Sequence, residues 1–267
     1  SVEFISLILF TKRRENMATG KYGDSRAIDV SDWGRPIARF FAKRLEKTPV
    51  SVLMVTHFHL FVSIFCAWLI LEEMIVEGCI VLVIKGVIDA IDGELARIRK
   101  RPSHVGRYWD TVADTIGLIL VMYAFSQFLN WNYLLTSSLI LAVLFQYSLF
   151  NHFSVRARIL GSGDTTSRVN EKICPTAQPW EKQKHVDFFH KIYLIGFSWQ
   201  DQIVDFIVGK GSKDLSFELT VSSLLGYGFQ SILILILAIN SKIELLPELI
   251  FGINGGLMFL AIIRSYF

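Results

Sequence analysis

Long apolar runs recur along this 267-residue chain, and they constrain its fold more than any other feature of the sequence. Each run is about 20 residues long, which is the length of α-helix that crosses the hydrocarbon core of a bilayer. The chain is 52% hydrophobic and 19% charged, whereas about a quarter of the residues are charged in an ordinary soluble domain. We therefore predict an all-α, polytopic membrane protein with six transmembrane helices. The predicted spans are 51–72, 78–98, 107–129, 132–155, 217–239 and 246–265.

Basic residues are distributed unevenly between the two ends of these runs. The turns after the first, third and fifth spans contain one basic residue, Lys242, whereas the opposite ends carry basic clusters such as 97–101 and 156–158. Loops rich in lysine and arginine remain on the cytoplasmic side of a membrane. We therefore expect a multi-pass protein with both termini and the charged loops in the cytoplasm.

Two segments outside the spans complete the predicted organisation. An N-terminal cytoplasmic segment, 1–30, precedes a membrane domain that covers 31–267. The domain begins with 31–47, where aromatic and aliphatic side chains share one helical face and basic side chains another. This pattern is typical of a helix lying in the headgroup layer, although a short soluble helix on a cytoplasmic loop is an alternative. Residues 159–210 form a cytoplasmic insertion, for which we favour a polar loop and a surface-lying helical hairpin over a further span.

Four aspartates occur at the cytoplasmic ends of the second and third spans. Asp89 and Asp92 are three residues apart, and Asp110 and Asp114 are four apart, so each pair shares one face of its helix. The intervening loop, 99–106, is short enough to make the two helices antiparallel neighbours, so all four carboxylates can converge. Because an ionised carboxylate facing lipid is costly, intramembrane aspartates usually face a polar cavity and serve a function.

Four like charges in one pocket repel one another unless cations neutralise them. Neither aspartate pair has a histidine or cysteine between its two members, and an all-oxygen set suits Mg²⁺, Mn²⁺ or Ca²⁺ better than zinc. Mg²⁺ commonly completes its coordination with water and substrate phosphate, which points to phosphate chemistry. Gly93 and Gly106 leave space beside the carboxylates, and Arg97 could bind a phosphate oxygen. Alternatively, the glycines serve helix packing, Asp110 and Asp114 favour a helix N-terminus, and Asp89 and Asp92 form ion pairs with Arg97 or Lys85.

The spacing of these residues resembles the signature of the CDP-alcohol phosphotransferase family, also called the CDP-alcohol phosphatidyltransferases. All eight defining positions of that signature are present. The predicted six-span topology and the preceding amphipathic helix are also similar to the family, so the resemblance covers most of 31–267. The motif reads Asp89-x2-Asp92-Gly93-x2-Ala96-Arg97-x8-Gly106-x3-Asp110-x3-Asp114.

This resemblance implies an enzyme of phospholipid biosynthesis that moves the substituted phosphate of a CDP-alcohol to the hydroxyl of a second alcohol and releases CMP. It implies Mg²⁺ or Mn²⁺ as cofactor, with two ions expected, a homodimer, and no nucleic-acid partner. By resemblance, Asp89, Asp92 and Asp110 are metal ligands, and Asp114 is the general base and a further metal-binding carboxylate. The implied nucleotide contacts are Asp89, Gly93, Ala96, Arg97 and Gly106.

The acceptor alcohol is left open by the sequence. Residues 151–163 resemble a segment of family members that use CDP-diacylglycerol and a soluble acceptor, with matches at Arg156 and Arg158 and departures at 153–154 and 159–160. These arginines suit an anionic acceptor or a lipid phosphate, and equally suit anchors at the cytoplasmic membrane surface. We favour CDP-diacylglycerol as the donor, because membrane embedding is explained when a substrate is a lipid.

Four alternatives to this reaction remain. One is transfer from CDP-choline or CDP-ethanolamine to diacylglycerol, and another is transfer from a soluble CDP-polyol to a polyol phosphate. A divalent-cation transporter would use the aspartates as a transit site, but it predicts carboxylates near the middle of the bilayer. A non-catalytic membrane scaffold would leave the motif spacing unexplained.

Overall fold

The computed structural model describes residues 22, 27–160, 171–209 and 215–267, and every regular element within them is helical. The predicted N-terminal segment 1–30 lies almost entirely outside the described residues. The principal helices are α1 (Arg35–Leu45), α2 (Val52–Leu71), α3 (Ile75–Ile98), α4 (His104–Phe128), α5 (Tyr133–Leu160), α6 (Gln183–Gly196), α7 (Ser198–Ile207), α8 (Ser216–Ser223), α9 (Tyr227–Ile239) and α10 (Asn254–Arg264). Short helical turns, Val30–Asp32, Ile243–Leu245, Leu246–Glu248 and Leu249–Ile253, complete the elements.

Within the described residues, five segments are long and apolar enough to cross a membrane. They are Val52–Leu71, His104–Phe128, Tyr133–Ile159, Ser216–Ile239 and Ile243–Arg264. α3 has 24 residues, which at about 1.5 Å per residue is long enough to cross, but it is not one of the five. Five of the six predicted spans therefore correspond to apolar helical segments. The remaining one, the second predicted span at 78–98, stays a prediction.

The predicted fifth span is two helices rather than one. α8 ends at Ser223, and α9 begins after Gly226, whose backbone is extended, with φ −69° and ψ 149°. Ser31 lies against this break: its Oγ accepts a hydrogen bond from the Gly228 N–H at 3.0 Å. A Cβ atom on Gly226 would lie 2.4 Å from that same oxygen. The break therefore accommodates the segment that precedes α1.

Helix α3 lies at the centre of the bundle, where α1, α2 and α9 pack against it. α2 also packs along α4, and this crossing is close because a Cβ on Gly117 would lie 2.7 Å from Ser63 Oγ. The α3–α9 crossing is close for the same reason, since a Cβ on Gly86 would lie 3.0 Å from the Tyr227 ring. Small residues at these positions let the helix backbones approach each other.

Helix α1 is held on α3 by a buried carboxylate. Ala38 and Ala42 face the bundle, and Glu94 of α3 accepts hydrogen bonds from Arg35 Nε at 2.7 Å and Arg39 Nε at 3.2 Å. The opposite face of α1 exposes its apolar side chains, which are Ile37, Phe40 and Phe41. The amphipathic helix expected over 31–47 is therefore present as α1, while its position in the headgroup layer stays a prediction.

Helices α6 and α7 form a hairpin in the predicted insertion. They have 14 and 10 residues, so at about 1.5 Å per residue neither reaches across a bilayer core of about 30 Å. α6 packs against α4, and α7 packs against α5. This hairpin covers the side of the bundle on which the predicted site lies.

Candidate metal and active site

Three helices bring a histidine and three of the predicted aspartates together. One potential ligand atom from each of His59, Asp89, Asp92 and Asp110 lies within 4.8 Å of the corresponding atoms of the others. His59 comes from α2, the first two aspartates from α3 and the third from α4. Since a metal ion must contact all its ligands at once, this spacing is close enough for a shared ion.

The turn between α3 and α4 fixes the two helices that carry the aspartates. Lys100 is in the left-handed conformation, with φ 51°, and its N–H donates to Arg97 O at 3.1 Å. The Arg101 N–H donates to Ala96 O at 3.1 Å, which completes a Schellman motif at the end of α3. Arg99 then donates to backbone carbonyls of the α1–α2 linker, which ties the end of α3 to that linker. The acceptors are Leu45 O, Glu46 O, Thr48 O and Val50 O.

The start of α4 is capped by its own chain and by the insertion. Ser103 Oγ accepts from the Gly106 N–H at 2.8 Å and donates to Glu181 Oε1 at 2.7 Å. Glu181 also accepts the N–H groups of His104 and Val105. Burial raises the pKa of the Glu181 carboxyl, but these hydrogen bonds outweigh burial and hold the pKa below its usual value. Residues 171–182 therefore fix the helix start from which Asp110 projects.

Several buried polar atoms of the cluster have no hydrogen-bond partner among the described residues. They are Asp89 Oδ1, Asp110 Oδ1 and both ring nitrogens of His59. Asp92 differs, because its Oδ2 accepts a hydrogen bond from Thr56 Oγ1 at 2.8 Å. Buried polar atoms are nearly always paired, so unpaired carboxylate oxygens facing one another indicate a place for a cation. These residues therefore fit the hard divalent ion that the family resemblance implies.

Asp114 lies beside this cluster in a different environment. Its Oδ1 accepts a hydrogen bond from Lys85 Nζ at 2.5 Å and lies 3.1 Å from His59 Nε2. Lys85 is 2% exposed, and its ammonium group lies 4.2 Å from the centre of the Tyr227 ring. The Asp114 side chain nevertheless keeps 41% of its surface accessible. The carboxylate is thus held at one oxygen while it remains open to a cavity.

That cavity has a volume of about 360 Å³ and lies between α4, α5 and the α6–α7 hairpin. Asp110 and Asp114 form one wall, and the opposite walls mix polar side chains with apolar surface from Leu144, Val155 and Phe197. The polar lining residues include Arg107, Ser148, Asn151, His152, Arg158, Tyr193, Gln200 and Asp201. Burial raises the pKa of the Asp201 carboxyl, although a hydrogen bond from the Tyr193 hydroxyl opposes this effect. The cavity can therefore accept a polar molecule beside Asp114.

The two arginines predicted to contact an anionic acceptor differ in position. Arg158 lines the cavity, and its Nε donates to Ser154 O at 3.3 Å. Arg156 is not a lining residue and instead donates to Gly209 O at 3.4 Å. The structure thus places Arg158, but not Arg156, where it could contact a molecule in this cavity.

The predicted nucleotide-binding residues lie on the last turns of α3 and at the start of α4. The Arg97 side chain is 53% exposed, and its Nη2 donates a hydrogen bond to Glu94 Oε1 at 2.8 Å. It also lies over Gly93, because a Cβ on Gly93 would be 3.3 Å from Arg97 Nη2. Ala96 is half-buried. Gly106 contributes to the cap of α4, since a Cβ there would lie 3.1 Å from Ser103 Oγ. Gly93, Ala96, Arg97 and Gly106 therefore lie outside the aspartate cluster, whereas Asp89, the fifth predicted nucleotide contact, is one of its members.

Sequence reasoning missed several residues around the site. His59 could have been found, because Thr56, His59 and Ser63 recur at spacings of three and four residues within an apolar run and so share one face of α2. The sequence indicates Lys85, one turn before Asp89, only as an ion-pair partner of Asp89 or Asp92, whereas it pairs with Asp114. Glu171 lies far away in the sequence but contacts Arg107 Nη1 at 2.5 Å and accepts the Tyr108 hydroxyl at 3.0 Å, and no sequence pattern predicts this pairing.

Comparison with known proteins agrees with the motif. No curated protein matches the chain. A family model described as CDP-alcohol phosphatidyltransferase matches residues 51–177. The matched region covers somewhat less than half of the chain and contains helices α2 to α5, and with them the histidine and all four aspartates of the site. Residues 51–177 are therefore similar to the CDP-alcohol phosphatidyltransferase family, as the spacing of the aspartates predicts.

Proposed function

We propose that this protein transfers the phosphatidyl group of CDP-diacylglycerol to the hydroxyl of a polar acceptor and releases CMP. The family match supports the general reaction, which is phosphotransfer from a CDP-alcohol. The observation that carries the proposal is the arrangement of the carboxylates. Asp89, Asp92 and Asp110 converge on one point, while Asp114 beside them opens onto a polar cavity. A metal-binding cluster next to a separate accessible carboxylate suits phosphoryl transfer.

Asp89, Asp92 and Asp110 would hold the divalent ions, either Mg²⁺ or Mn²⁺. When bound, such ions neutralise a diphosphate and stabilise the charge that develops on the departing phosphate. The chain itself supplies one cation near these carboxylates, Lys85, which is already hydrogen-bonded to Asp114. Four carboxylates and one ammonium leave a net negative site, which supports the binding of further positive charge.

Asp114 would act as the general base. Its contacts with Lys85 Nζ and His59 Nε2 both involve Oδ1, so Oδ2 is the oxygen that can accept the proton of an acceptor hydroxyl. As this proton leaves, the acceptor oxygen bonds to the phosphorus that carries the diacylglycerol, and the bond from that phosphorus to the CMP oxygen breaks. A hydroxyl is a weak nucleophile at neutral pH, so a positioned base accelerates this step.

The cavity supports a polar acceptor, and therefore a lipid donor. Most of its polar lining comes from α5 and the α6–α7 hairpin, and Arg158 together with Arg107 could bind an anionic group on the acceptor. The apolar part of the lining, which comes from Leu144, Val155 and Phe197, is interrupted by these polar side chains, whereas an acyl chain favours a continuous apolar surface. Transfer from CDP-choline or CDP-ethanolamine to diacylglycerol, which places the lipid on the acceptor side, is less compatible with this cavity.

The arrangement in the membrane is also part of the proposal. α3 would be a further span, the second along the chain, and would bring the total to six. The membrane domain would cover 31–267, with 159–210 as its cytoplasmic insertion. α1 would lie in the headgroup layer, with both termini and the site on the cytoplasmic side, where the basic residues cluster. A homodimer is proposed from the family resemblance.

The test is CMP release by the purified protein in detergent or nanodiscs. With Mg²⁺ or Mn²⁺, CDP-diacylglycerol should release CMP when a suitable acceptor is added, and EDTA should abolish release. Serine, glycerol phosphate, inositol phosphate and inositol form the first acceptor panel, and CDP-choline with diacylglycerol tests the reversed arrangement. Absence of CMP release from every CDP-alcohol, together with Mn²⁺ flux into proteoliposomes, would support a transporter instead.

A further inference from the structure

His59 occupies an unusual position for a histidine. Its side chain is fully buried in α2, with 0% exposure, in a helix that is otherwise strongly apolar. Its Nε2 lies 3.1 Å from Asp114 Oδ1, which is within ion-pair distance, whereas its Nδ1 has no hydrogen-bond partner among the described residues. A buried imidazole nitrogen without a partner is costly, so the presence of His59 beside these carboxylates needs an explanation.

We propose that His59 is a direct ligand of a divalent ion in the aspartate cluster and makes this a mixed nitrogen and oxygen site. One of its ring nitrogens lies within 4.8 Å of the ligand oxygens of Asp89, Asp92 and Asp110. Thr56, one turn earlier on α2, holds Asp92 by a hydrogen bond of 2.8 Å. α2 therefore contributes both a ligand and a group that orients another ligand, as metal sites commonly require.

An imidazole ligand changes the expected metal preference. Carboxylates suit Mg²⁺, Ca²⁺ and Mn²⁺, whereas imidazole binds transition metals more readily than it binds Mg²⁺ or Ca²⁺. A site with one imidazole and three carboxylates should therefore favour Mn²⁺ over Mg²⁺ more strongly than an all-carboxylate site does. The inference rests on the proposed function only in using the same metal cluster, and it can be tested without any substrate.

The experiment is electron spin-echo envelope modulation (ESEEM) spectroscopy, which detects nitrogen nuclei coupled to Mn²⁺. It uses the purified full chain loaded with Mn²⁺ in the absence of nucleotide. The wild type should show modulation from an imidazole nitrogen coupled to Mn²⁺. His59→Asn offers an amide oxygen in place of the ring nitrogen, so it should lose this modulation. The matched control is His57→Asn, because His57 lies on the same helix, is exposed and is not part of the cluster. That variant should keep the wild-type signal.

Metal affinity gives a second readout. Loss of an outer-shell group at a metal site typically costs about 10-fold to 100-fold in affinity, so loss of a direct ligand should weaken Mn²⁺ binding at least about tenfold. Mg²⁺, measured by competition against Mn²⁺, should be weakened less. His57→Asn should leave both affinities unchanged. His59→Gln serves as a second variant if His59→Asn does not elute as a single folded species.

Three outcomes would overturn the proposal. They are Mn²⁺ bound to wild type without nitrogen modulation, modulation that persists in a folded His59 variant, and an equal loss of Mn²⁺ and Mg²⁺ affinity. The wild-type spectrum decides the question even if no His59 variant folds, because His59 is the one histidine in the cluster within the described residues. Since CMP release is measured separately, a protein that releases CMP but shows no nitrogen coupling would refute this inference and leave the proposed function intact.

Discussion

Replacing Lys85 by methionine tests how the site manages its negative charge before a metal ion binds. The Lys85 side chain is 3% exposed, and its Nζ lies 2.5 Å from Asp114 Oδ1. Methionine has a similar length but no charge, so Lys85→Met would leave Asp114 beside the other carboxylates without its cation. We expect the metal-free variant to be less stable than the metal-free wild type.

The size of this effect follows from the burial of the two partners. Removing one partner of a fully buried ion pair costs about 3–5 kcal/mol. The Asp114 side chain keeps 41% of its surface accessible, so solvent in the cavity screens the uncompensated charge. We therefore expect a loss of roughly 1–3 kcal/mol, which corresponds to a fall of several degrees in the midpoint of thermal unfolding.

The assay is thermal unfolding in detergent with EDTA, followed by the same measurement with saturating Mn²⁺. Because a bound divalent ion supplies positive charge near Asp114, Mn²⁺ should narrow the difference between wild type and Lys85→Met. Adding Asp114→Asn to Lys85→Met should restore much of the lost stability, since it removes the unpaired carboxylate. Lys242→Met is the control, because Lys242 is exposed in the turn after α9. Equal unfolding midpoints for wild type and Lys85→Met without metal would refute this reasoning.

Three further predictions concern the base, a helix crossing and a cap. Asp114→Asn should lower the rate of CMP release by about 10²–10⁴-fold while donor affinity with Mn²⁺ stays within a few-fold, and full turnover would exclude Asp114 as the base. Gly117→Ala should destabilise by about 1–3 kcal/mol, because its Cβ would lie 2.7 Å from Ser63 Oγ. Gly256→Ala is the control in the same unfolding assay and should stabilise by up to about 1 kcal/mol, because it lies in α10 with open space around it and alanine favours a helix over glycine. Glu181→Gln should cost about 1 kcal/mol at neutral pH through loss of the α4 cap. The pKa of Glu181 is lower in the folded protein than in the unfolded chain, where it is about 4.3. Its contribution to the free energy of unfolding is therefore full above the unfolded pKa and is lost as the pH falls through the folded pKa. The unfolding midpoints of the variant and the wild type should consequently converge in acid.

The sequence predicted the part of the site that depends on local geometry. Asp89 and Asp92 share a face because helical residues three apart do so, and Asp110 lies close to them at the other end of a short loop. The predicted direct packing of α3 on α4 is not what joins them, because both helices pack mainly against α2. The helical spacing and the loop length are both visible in the sequence. The chemical roles of these carboxylates rest on the family resemblance and stay predictions.

The sequence did not predict contacts between segments that are distant along the chain. His59 reaches the cluster because α2 packs along both α3 and α4, and no spacing between residues 59 and 89 encodes that contact. Glu181 caps α4 from a loop that follows α5, and the pairing depends on where the insertion folds back. The break between α8 and α9 depends on Ser31, which approaches from the other end of the chain. Each of these contacts requires the tertiary structure.

Helix α3 shows why hydropathy alone fails for the most important helix of this bundle. It lacks the apolar window with few charges that the five other segments have, yet α1, α2 and α9 pack against it, and Lys85 extends from it to Asp114 of α4. Lys85, Asp92 and Glu94 therefore meet partners rather than lipid. Ile80 and Ile84 are exposed and apolar, whereas the exposed charged residues Glu77 and Arg97 lie near the two ends of the helix. A polar helix can cross a bilayer when neighbouring helices satisfy its charges. Whether α3 spans the membrane is thus decided by its neighbours, and the charges that exclude it from a hydropathy search are the ones that build the site.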